Sequence, residues 1–213
     1  MFTGIVTGVG TIRAIEPIGG GRDMRVVVQA PWPDTAGIAL GASIACAGCC
    51  LTAVEVGDDF FAVNASSETL SRSTLGAWRV GGRINLERSL KLGDELGGHL
   101  VAGHVDGIGR VVSSEPEHGS TRWRFAVPDQ IARFIAVKGS IAIDGVSLTV
   151  KEVIDVAGAG AIFGVNIIPH TEAVTGFAAL RPGDSVNIEI DTLARYVARL
   201  AEYPKITDTA TPA

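Results

Sequence analysis

The chain is short of the features that mark several large classes of protein. It has no run of basic residues: 18 Lys plus Arg stand against 23 Asp plus Glu, a formal charge of −5. That balance argues against a polyanionic partner, so neither nucleic acid nor an anionic membrane surface is expected. No unbroken apolar stretch reaches the roughly 18 residues that a membrane-spanning helix needs. The opening Met1-Phe2-Thr3-Gly4-Ile5-Val6 lacks the basic start, apolar stretch and cleavage site of a secretory leader, and it reads as strand. Cysteine is scarce: Cys46, Cys49 and Cys50 fall within five positions, an odd number with nothing distant to bridge. A disulfide framework is thereby excluded, and a reducing, cytoplasmic setting is expected.

What the chain has in excess is glycine, 27 of 213 residues, against a typical share of about 7%. Apolar residues at 46% are enough for a packed core. Frequent turns between short strands fit this composition better than long helices do.

The sequence is also written twice. Residues 1–12 lie over 100–111, residues 43–56 over 140–153, and residues 61–87 over 163–189. The middle block, SIACAGCCLTAVEV over SIAIDGVSLTVKEV, is identical at eight of fourteen positions. The third pairs Asn64 with Asn166, Thr69 with Thr171, Asn85 with Asn187 and Glu87 with Glu189. Three blocks in one order at nearly constant offset predict two copies of a domain of about a hundred residues. The junction is expected near 88–99, where glycine and polar residues interrupt the strand patterns.

Each copy reads as β. Strands are predicted at Arg25–Gln29, Ser43–Cys46, Cys50–Val56, Phe60–Asn64 and Arg83–Glu87, and at Trp123–Val127, Ser140–Ile143, Ser147–Val153, Ile162–Ile168 and Ser185–Ile190. Five or six short strands per copy point to a small closed barrel. One short helix per copy is predicted, around Ser67–Leu75 and Pro128–Ala136. From Thr192 to Glu202, Leu193, Tyr196, Val197 and Leu200 recur at helical spacing, with Asp191 as N-cap. That stripe packs either on its own barrel or against other chains.

Most duplicated positions are scaffold, and Gly4, Gly8, Gly10 and their partners are expected at bulges or close backbone approaches. Two trios stand out, Cys50-Leu51-Thr52 and Ser147-Leu148-Thr149, because the first and third residues of a strand trio share a face. The copies also differ from each other. Ile5 stands opposite His104, Thr7 opposite Asp106, Cys50 opposite Ser147 and Glu68 opposite His170. His99 and His104 lie close together in glycine-rich backbone. Cys46-x-x-Cys49 has zinc-like spacing, but no second ligand pair completes a set, so no metal is expected and both are read as core residues. Cys50 is a candidate nucleophile without an assignable partner. GVGTIR and GIGRVV lack a full G-x-G-x-x-G and open no helix, which disfavours a dinucleotide site.

Taken together, MFTGIV, GCCLT, DELGGHLVAGHVDG, SLT and NIIPHT closely resemble the α-type riboflavin synthase family over about residues 1–200. The resemblance implies two tandem six-stranded Greek-key β-barrels, at 1–97 and 98–190. It also implies a C-terminal helix at 191–203 that joins three chains into a homotrimer; residues 204–213, PKITDTATPA, read as a flexible tail. The implied reaction is a cofactor-free transfer of a four-carbon unit between two molecules of 6,7-dimethyl-8-ribityllumazine. It yields riboflavin and 5-amino-6-ribitylaminouracil, as the last step of riboflavin biosynthesis. The substrates would be paired between the N-terminal barrel of one chain and the C-terminal barrel of another. Association with lumazine synthase is left open.

Carried over by position, the first barrel would bind its lumazine with Gly4, Ile5, Val6, Ser43, Cys50, Leu51, Thr52, Asn64, Ala65, Ser66, Ser67, Glu68 and Thr69. The second would use Gly103, His104, Val105, Ser147, Leu148, Thr149, Ile167, Ile168, Pro169, His170, Thr171 and Glu172, with Lys138 reaching in from a neighbouring chain. His104 is the expected proton shuttle. Ser147, Thr149 and Cys50 are expected to position water and ring atoms, and Phe2 to pack over a ring or close the site. A non-catalytic lumazine- or flavin-binding relative is the competing expectation, although both barrels keep their polar trios. A flavin domain of the ferredoxin-reductase kind would need a following nucleotide-binding domain, for which 213 residues leave no room.

Overall fold

The computed structural model describes residues 1–203, so the expectation for 204–213 lies outside the described residues. Twelve strands form two closed antiparallel barrels. The first contains β1 (Gly8–Ile18), β2 (Asp23–Gln29), β3 (Ser43–Cys46), β4 (Cys49–Val56), β5 (Phe60–Ala65) and β6 (Arg83–Arg88), in the spatial order β1-β2-β5-β4-β3-β6. The second contains β7 (Gly107–Glu117), β8 (Ser120–Val127), β9 (Ser140–Ile143), β10 (Val146–Val156), β11 (Gly160–Ile167) and β12 (Ser185–Ile190), in the order β10-β11-β8-β7-β12-β9. Placing β2 beside β5 and β3 beside β6 makes each a Greek key, and closure leaves no free edge.

Alternation along the strands fills both interiors with side chains. Ile12, Val26, Val28, Ile44, Leu51, Phe61, Val63 and Leu86 occupy the first, and Val111, Trp123, Phe125, Ile141, Phe163, Val165 and Ile188 the second. Each such side chain contributes about 1.5–3 kcal/mol by leaving water. A six-stranded barrel packed this way has no room inside for a ligand, so any site must lie on its outer surface or rim. The bulges repeat too, at Arg13 and Val112 and at Val54 and Lys151. The duplicated glycines do not supply them. Gly10 instead allows a close approach to Leu86 and to the carbonyl of Gln29.

Three differences from the sequence reading matter. The first residues are not strand: only Phe2 pairs, as a single bridge to Val101, and β1 begins at Gly8. The helix expected at Ser67–Leu75 stops as α1 (Ser67–Arg72), because Ser73 is extended and its hydroxyl caps the following 3-10 turn, Thr74–Ala77. Its true counterpart in the second copy is α3 (Pro169–Val174), which starts with Pro at a first-turn position where the missing N–H costs nothing. The helix expected at Pro128–Ala136 is the short α2 (Asp129–Ala132). The last helix, α4 (Thr192–Glu202), is capped by Asp191 through the Leu193 N–H, as its pattern predicts.

The barrels are clasped by reciprocal contacts. Asn85 donates from Nδ2 to the Asp144 carbonyl (2.9 Å) and accepts from the Gly176 N–H (2.7 Å). Asn187, its duplicate, donates to the Ala47 carbonyl (2.8 Å) and accepts from the Thr74 N–H (2.7 Å). The Ser147 N–H donates to the Gly4 carbonyl and the Cys50 N–H to the Gly103 carbonyl, each at 2.8 Å. Each half therefore lays the segment preceding its own first strand against the other half's barrel.

At these two crossings only glycine fits. Gly4 has φ +75 and Gly103 φ +80, and a methyl group on either would lie 2.5 Å from the Cβ of Ser147 or Cys50. A Gly103→Ala variant should lose about 1–2 kcal/mol for left-handed backbone and a further 1–3 kcal/mol or so for the overlap. Gly158→Ala, also at positive φ but with open space around it, should lose only the first part. Urea unfolding midpoints compare the two, and equal losses would contradict the crossing.

Candidate functional site

The trios behave as the strand period requires. Leu51 enters the first core, while Cys50 and Thr52 face outward. Leu148 packs against the second core, while Ser147 and Thr149 face outward. Thr52 pairs with Ser43 across β3, and Thr149 with Ser140 across β9. The polar groups therefore lie on the barrels' outer walls, where the crossing segments arrive.

At the first barrel the wall becomes a cavity of about 360 Å³. It is lined by Cys49, Cys50, Glu68, Thr69, Arg72, Ser73, Gly103, His104, Val105 and Asp106. Strand β4 supplies the Cys50 thiol, α1 supplies Glu68, Thr69 and Arg72, and the crossing segment supplies His104. This overturns the expected division of residues. Gly103-His104-Val105 belongs to the first barrel's cavity, and Val105 packs on the first core. Gly4-Ile5-Val6 belongs to the second barrel, with Val6 on the second core.

Two buried carboxylates hold the crossing segments. Glu87 accepts from the N–H of Thr3 (2.6 Å), its hydroxyl (2.7 Å) and the N–H of Gly4 (2.9 Å). Glu189 accepts from the N–H groups of Ala102 (2.7 Å) and Gly103 (3.0 Å). Burial pushes the Glu189 carboxyl up to about 7, against the pull of those donors, and pushes Glu87 up as well.

The second barrel's wall is covered differently. The connector's Gly98 lies against Thr3 and Ser147, and His99 Nδ1 is 2.7 Å from the Ser147 hydroxyl oxygen. The other ring nitrogen, Nε2, is buried without a partner, and burial lowers the affinity of this histidine for a proton against the opposing charge of Asp191. His99 was conspicuous in the sequence only for its surroundings; its pairing with Ser147 has no counterpart in the first copy to reveal it. Around this wall, Ile168, Pro169 and His170 are exposed at the start of α3, and Thr171 and Glu172 are half-buried. Ile167 lies in the core, and Glu172 accepts at 3.5 Å from the Thr121 hydroxyl. Lys138 is exposed at φ +69, its N–H donating to the Val150 carbonyl.

Several expected residues stand apart. Phe2 is 0% exposed, wedged between the barrels with Ala45, Val101 and Ala142, so it packs the seam and does not line the cavity. Asn64 is exposed on β5 opposite Arg25, and Ala65 is part of the first core. Ser66 caps α1 through the Thr69 N–H, and Ser67 donates its own N–H to Asp23. Cys46 and Cys49 face each other across the β3–β4 turn inside the core; burial holds the Cys46 thiol well above its usual range and pushes Cys49 up to about 12. Arg72 and Asp106 line the cavity but were not singled out as site residues. Helical spacing from Glu68 finds the first, since Arg72 pairs with Glu68 four residues earlier at 3.1 Å.

A sequence profile of the lumazine binding domain matches residues 3–89 and again 102–191. Over 211 residues the chain is 48% identical to the riboflavin synthase of Brucella abortus (strain 2308), covering 96% of this chain and 100% of that protein. The chain belongs to the riboflavin synthase family. The riboflavin synthase of Photobacterium phosphoreum is 39% identical over 208 residues, 98% of this chain and 92% of that one. Among solved structures, LumP complexed with 6,7-dimethyl-8-(1'-D-ribityl) lumazine matches with a TM-score of 0.77 at 25% identity, over 89% of this chain and 98% of LumP. Both matches to the riboflavin synthases extend across the two barrels and the crossings between them.

The buried carboxyl of Glu189 gives a pH signature. Its folded-state value, about 7, lies above the ordinary 4.5, so folding takes up a proton between those values. That contribution to stability is complete below about pH 4.5 and is lost as pH rises through 7. Between pH 5 and 8 the wild type should lose stability relative to Glu189→Gln, which has no proton to release. Urea midpoints of both proteins across that range provide the check, and a constant difference would contradict it.

Proposed function

We propose that the chain is a riboflavin synthase, a transferase that passes a four-carbon unit between two molecules of 6,7-dimethyl-8-ribityllumazine without a cofactor, as the last step of riboflavin biosynthesis. The observation that carries this reading is the cavity beside Cys50, which the second half completes by inserting Gly103-His104-Val105. Its volume suits a bicyclic ring. Thr69 and Glu68 on its wall offer partners to ribityl hydroxyls. One substrate occupies this cavity and the other the outer wall of the second barrel, beside Ser147, Thr149, His170 and Thr171.

The chemistry asks little of side chains. The substrate's C7 methyl is acidic because its carbanion delocalises into the ring, so holding two rings at reacting distance supplies most of the acceleration, roughly 7–11 kcal/mol for well-oriented partners. Proton transfer by His104 adds on the order of 10²–10⁴-fold. His104 is exposed to the cavity on a segment whose backbone is held by Glu189, so its position is defined while its ring stays accessible. Ser147, with its hydroxyl oriented by His99, positions water or a ring atom of the second substrate.

The two walls belong to one reaction when copies assemble. Helix α4 leaves Leu193, Tyr196, Val197 and Leu200 exposed along one stripe, and we assign that stripe to the joining of three chains. The first cavity of one chain then faces the second wall of its neighbour, with Lys138 reaching across. Three free thiols fit the reducing cytoplasm as the setting.

Incubation with 6,7-dimethyl-8-ribityllumazine, followed by riboflavin fluorescence, tests the reading. Turnover is expected; binding without turnover would make the chain a carrier and overturn it. His104→Ala should cut kcat by about 10²-fold with substrate affinity changed little, and wild-type turnover would remove His104 from the mechanism. Leu193→Glu with Leu200→Glu should shift the sedimentation profile from trimer to smaller species and abolish turnover together.

A further inference from the structure

The segment carrying His104 is pinned at both ends. Before it, Glu189 holds the N–H groups of Ala102 and Gly103. After it, the Asp106 N–H donates to the Ile188 carbonyl (2.8 Å), and both carboxylate oxygens of Asp106 are occupied. Oδ2 accepts from the Ile190 N–H (2.9 Å) and Oδ1 from Arg195 Nη2 (2.7 Å). The Asp106 side chain is only 14% exposed, so this ion pair is shielded more than the other one α4 makes, Arg133–Glu202, where both partners are about half exposed. Arg195 projects from α4, a helix with no buried residue of its own.

The asymmetry of the duplication shows that the link belongs to His104. In the first copy the position of His104 is Ile5, and that of Asp106 is Thr7, whose hydroxyl donates to the Leu86 carbonyl at 3.3 Å. No helix follows β6 there. The histidine, the aspartate and the helix bearing its arginine occur together in one copy and are all missing from the other. We propose that Arg195 is a positioning residue: through Asp106 it ties the C-terminal helix to the His104 segment, so that seating α4 in the assembly sets the geometry of the first-barrel cavity. This rests on the riboflavin synthase reading for its catalytic consequence, but not for the mechanical link.

The test uses the full chain and four variants, Arg195→Ala, Arg195→Lys, Asp106→Asn and Arg133→Ala. Riboflavin formation and hydrogen exchange of the peptide spanning Ala102–Asp106 are both measured. Arg195→Ala and Asp106→Asn should lower kcat about tenfold with KM within about twofold, and speed exchange of that peptide about tenfold. Arg195→Lys, which keeps a charge at the same place, should restore both to near wild type, and Arg133→Ala should alter neither. Unchanged exchange in Arg195→Ala would overturn the proposal whatever the turnover. So would wild-type kcat in that variant, failure of lysine to rescue, or an Arg133→Ala variant as impaired as Arg195→Ala. A wild-type protein that makes no riboflavin would overturn the functional reading alone, since the exchange comparison still decides whether the link exists.

Discussion

Two hydrogen bonds, from the Cys50 N–H to the Gly103 carbonyl and from the Ser147 N–H to the Gly4 carbonyl, set the terms for the rest of this molecule. Each places the backbone of one half against the first residue of the other half's polar trio. The approach is tight enough that a side chain on either glycine would collide with its neighbour, and the left-handed backbone at both positions makes glycine the only unstrained residue. Buried carboxylates then hold the crossing segments from behind, Glu87 for one and Glu189 for the other. The barrels are closed and filled, so binding chemistry has to sit on their walls, and at the first barrel the crossing is where the wall becomes concave.

Duplication alone would make two identical sites; the differences between the copies make two unlike ones. At the first barrel the crossing brings an imidazole and a carboxylate, His104 and Asp106, to a thiol on β4. In the other crossing Ile5 and Thr7 stand at those positions, and at the second barrel the imidazole comes instead from the connector, as His99 on Ser147. The proposed reaction gives two identical substrates different fates, one giving carbon and one receiving it, and unlike surroundings suit that. The scaffold supplies equivalence of shape, and a few substitutions supply inequivalence of chemistry.

Much of this could be read from the sequence because it was carried by periodicity. The barrels follow from β-branched runs repeated at constant offset, and the outward trios follow from a strand period of two. The C-terminal helix follows from Leu193, Tyr196, Val197 and Leu200. What escaped was relational. Nothing local in Gly103-His104-Val105 says that it lines the barrel before it and not the one after, because that depends on which wall a crossing reaches. Phe2, expected to pack over a ring or close the site, lies between the barrels for the same reason. Helix α3 was hidden by local propensity, although the duplicate of Ser67–Arg72 at the same offset pointed straight to it. The pairs Asn85 with Asn187 and Glu87 with Glu189 were visible as repeats, and their burial and reciprocal bonds explain why scaffold positions should be so polar.

The central claim is that the first-barrel cavity of one chain works with the second-barrel wall of another. Mixed assemblies test it most directly. A His104→Ala chain and a Ser147→Ala chain, each nearly inactive alone, are denatured together, refolded as a mixture and assayed for riboflavin formation. If the working pair spans two chains, junctions between an intact His104 and an intact Ser147 form in the mixture, and turnover rises far above the mean of the two parents. Turnover equal to that mean would place both halves of the site within a single chain and contradict the account.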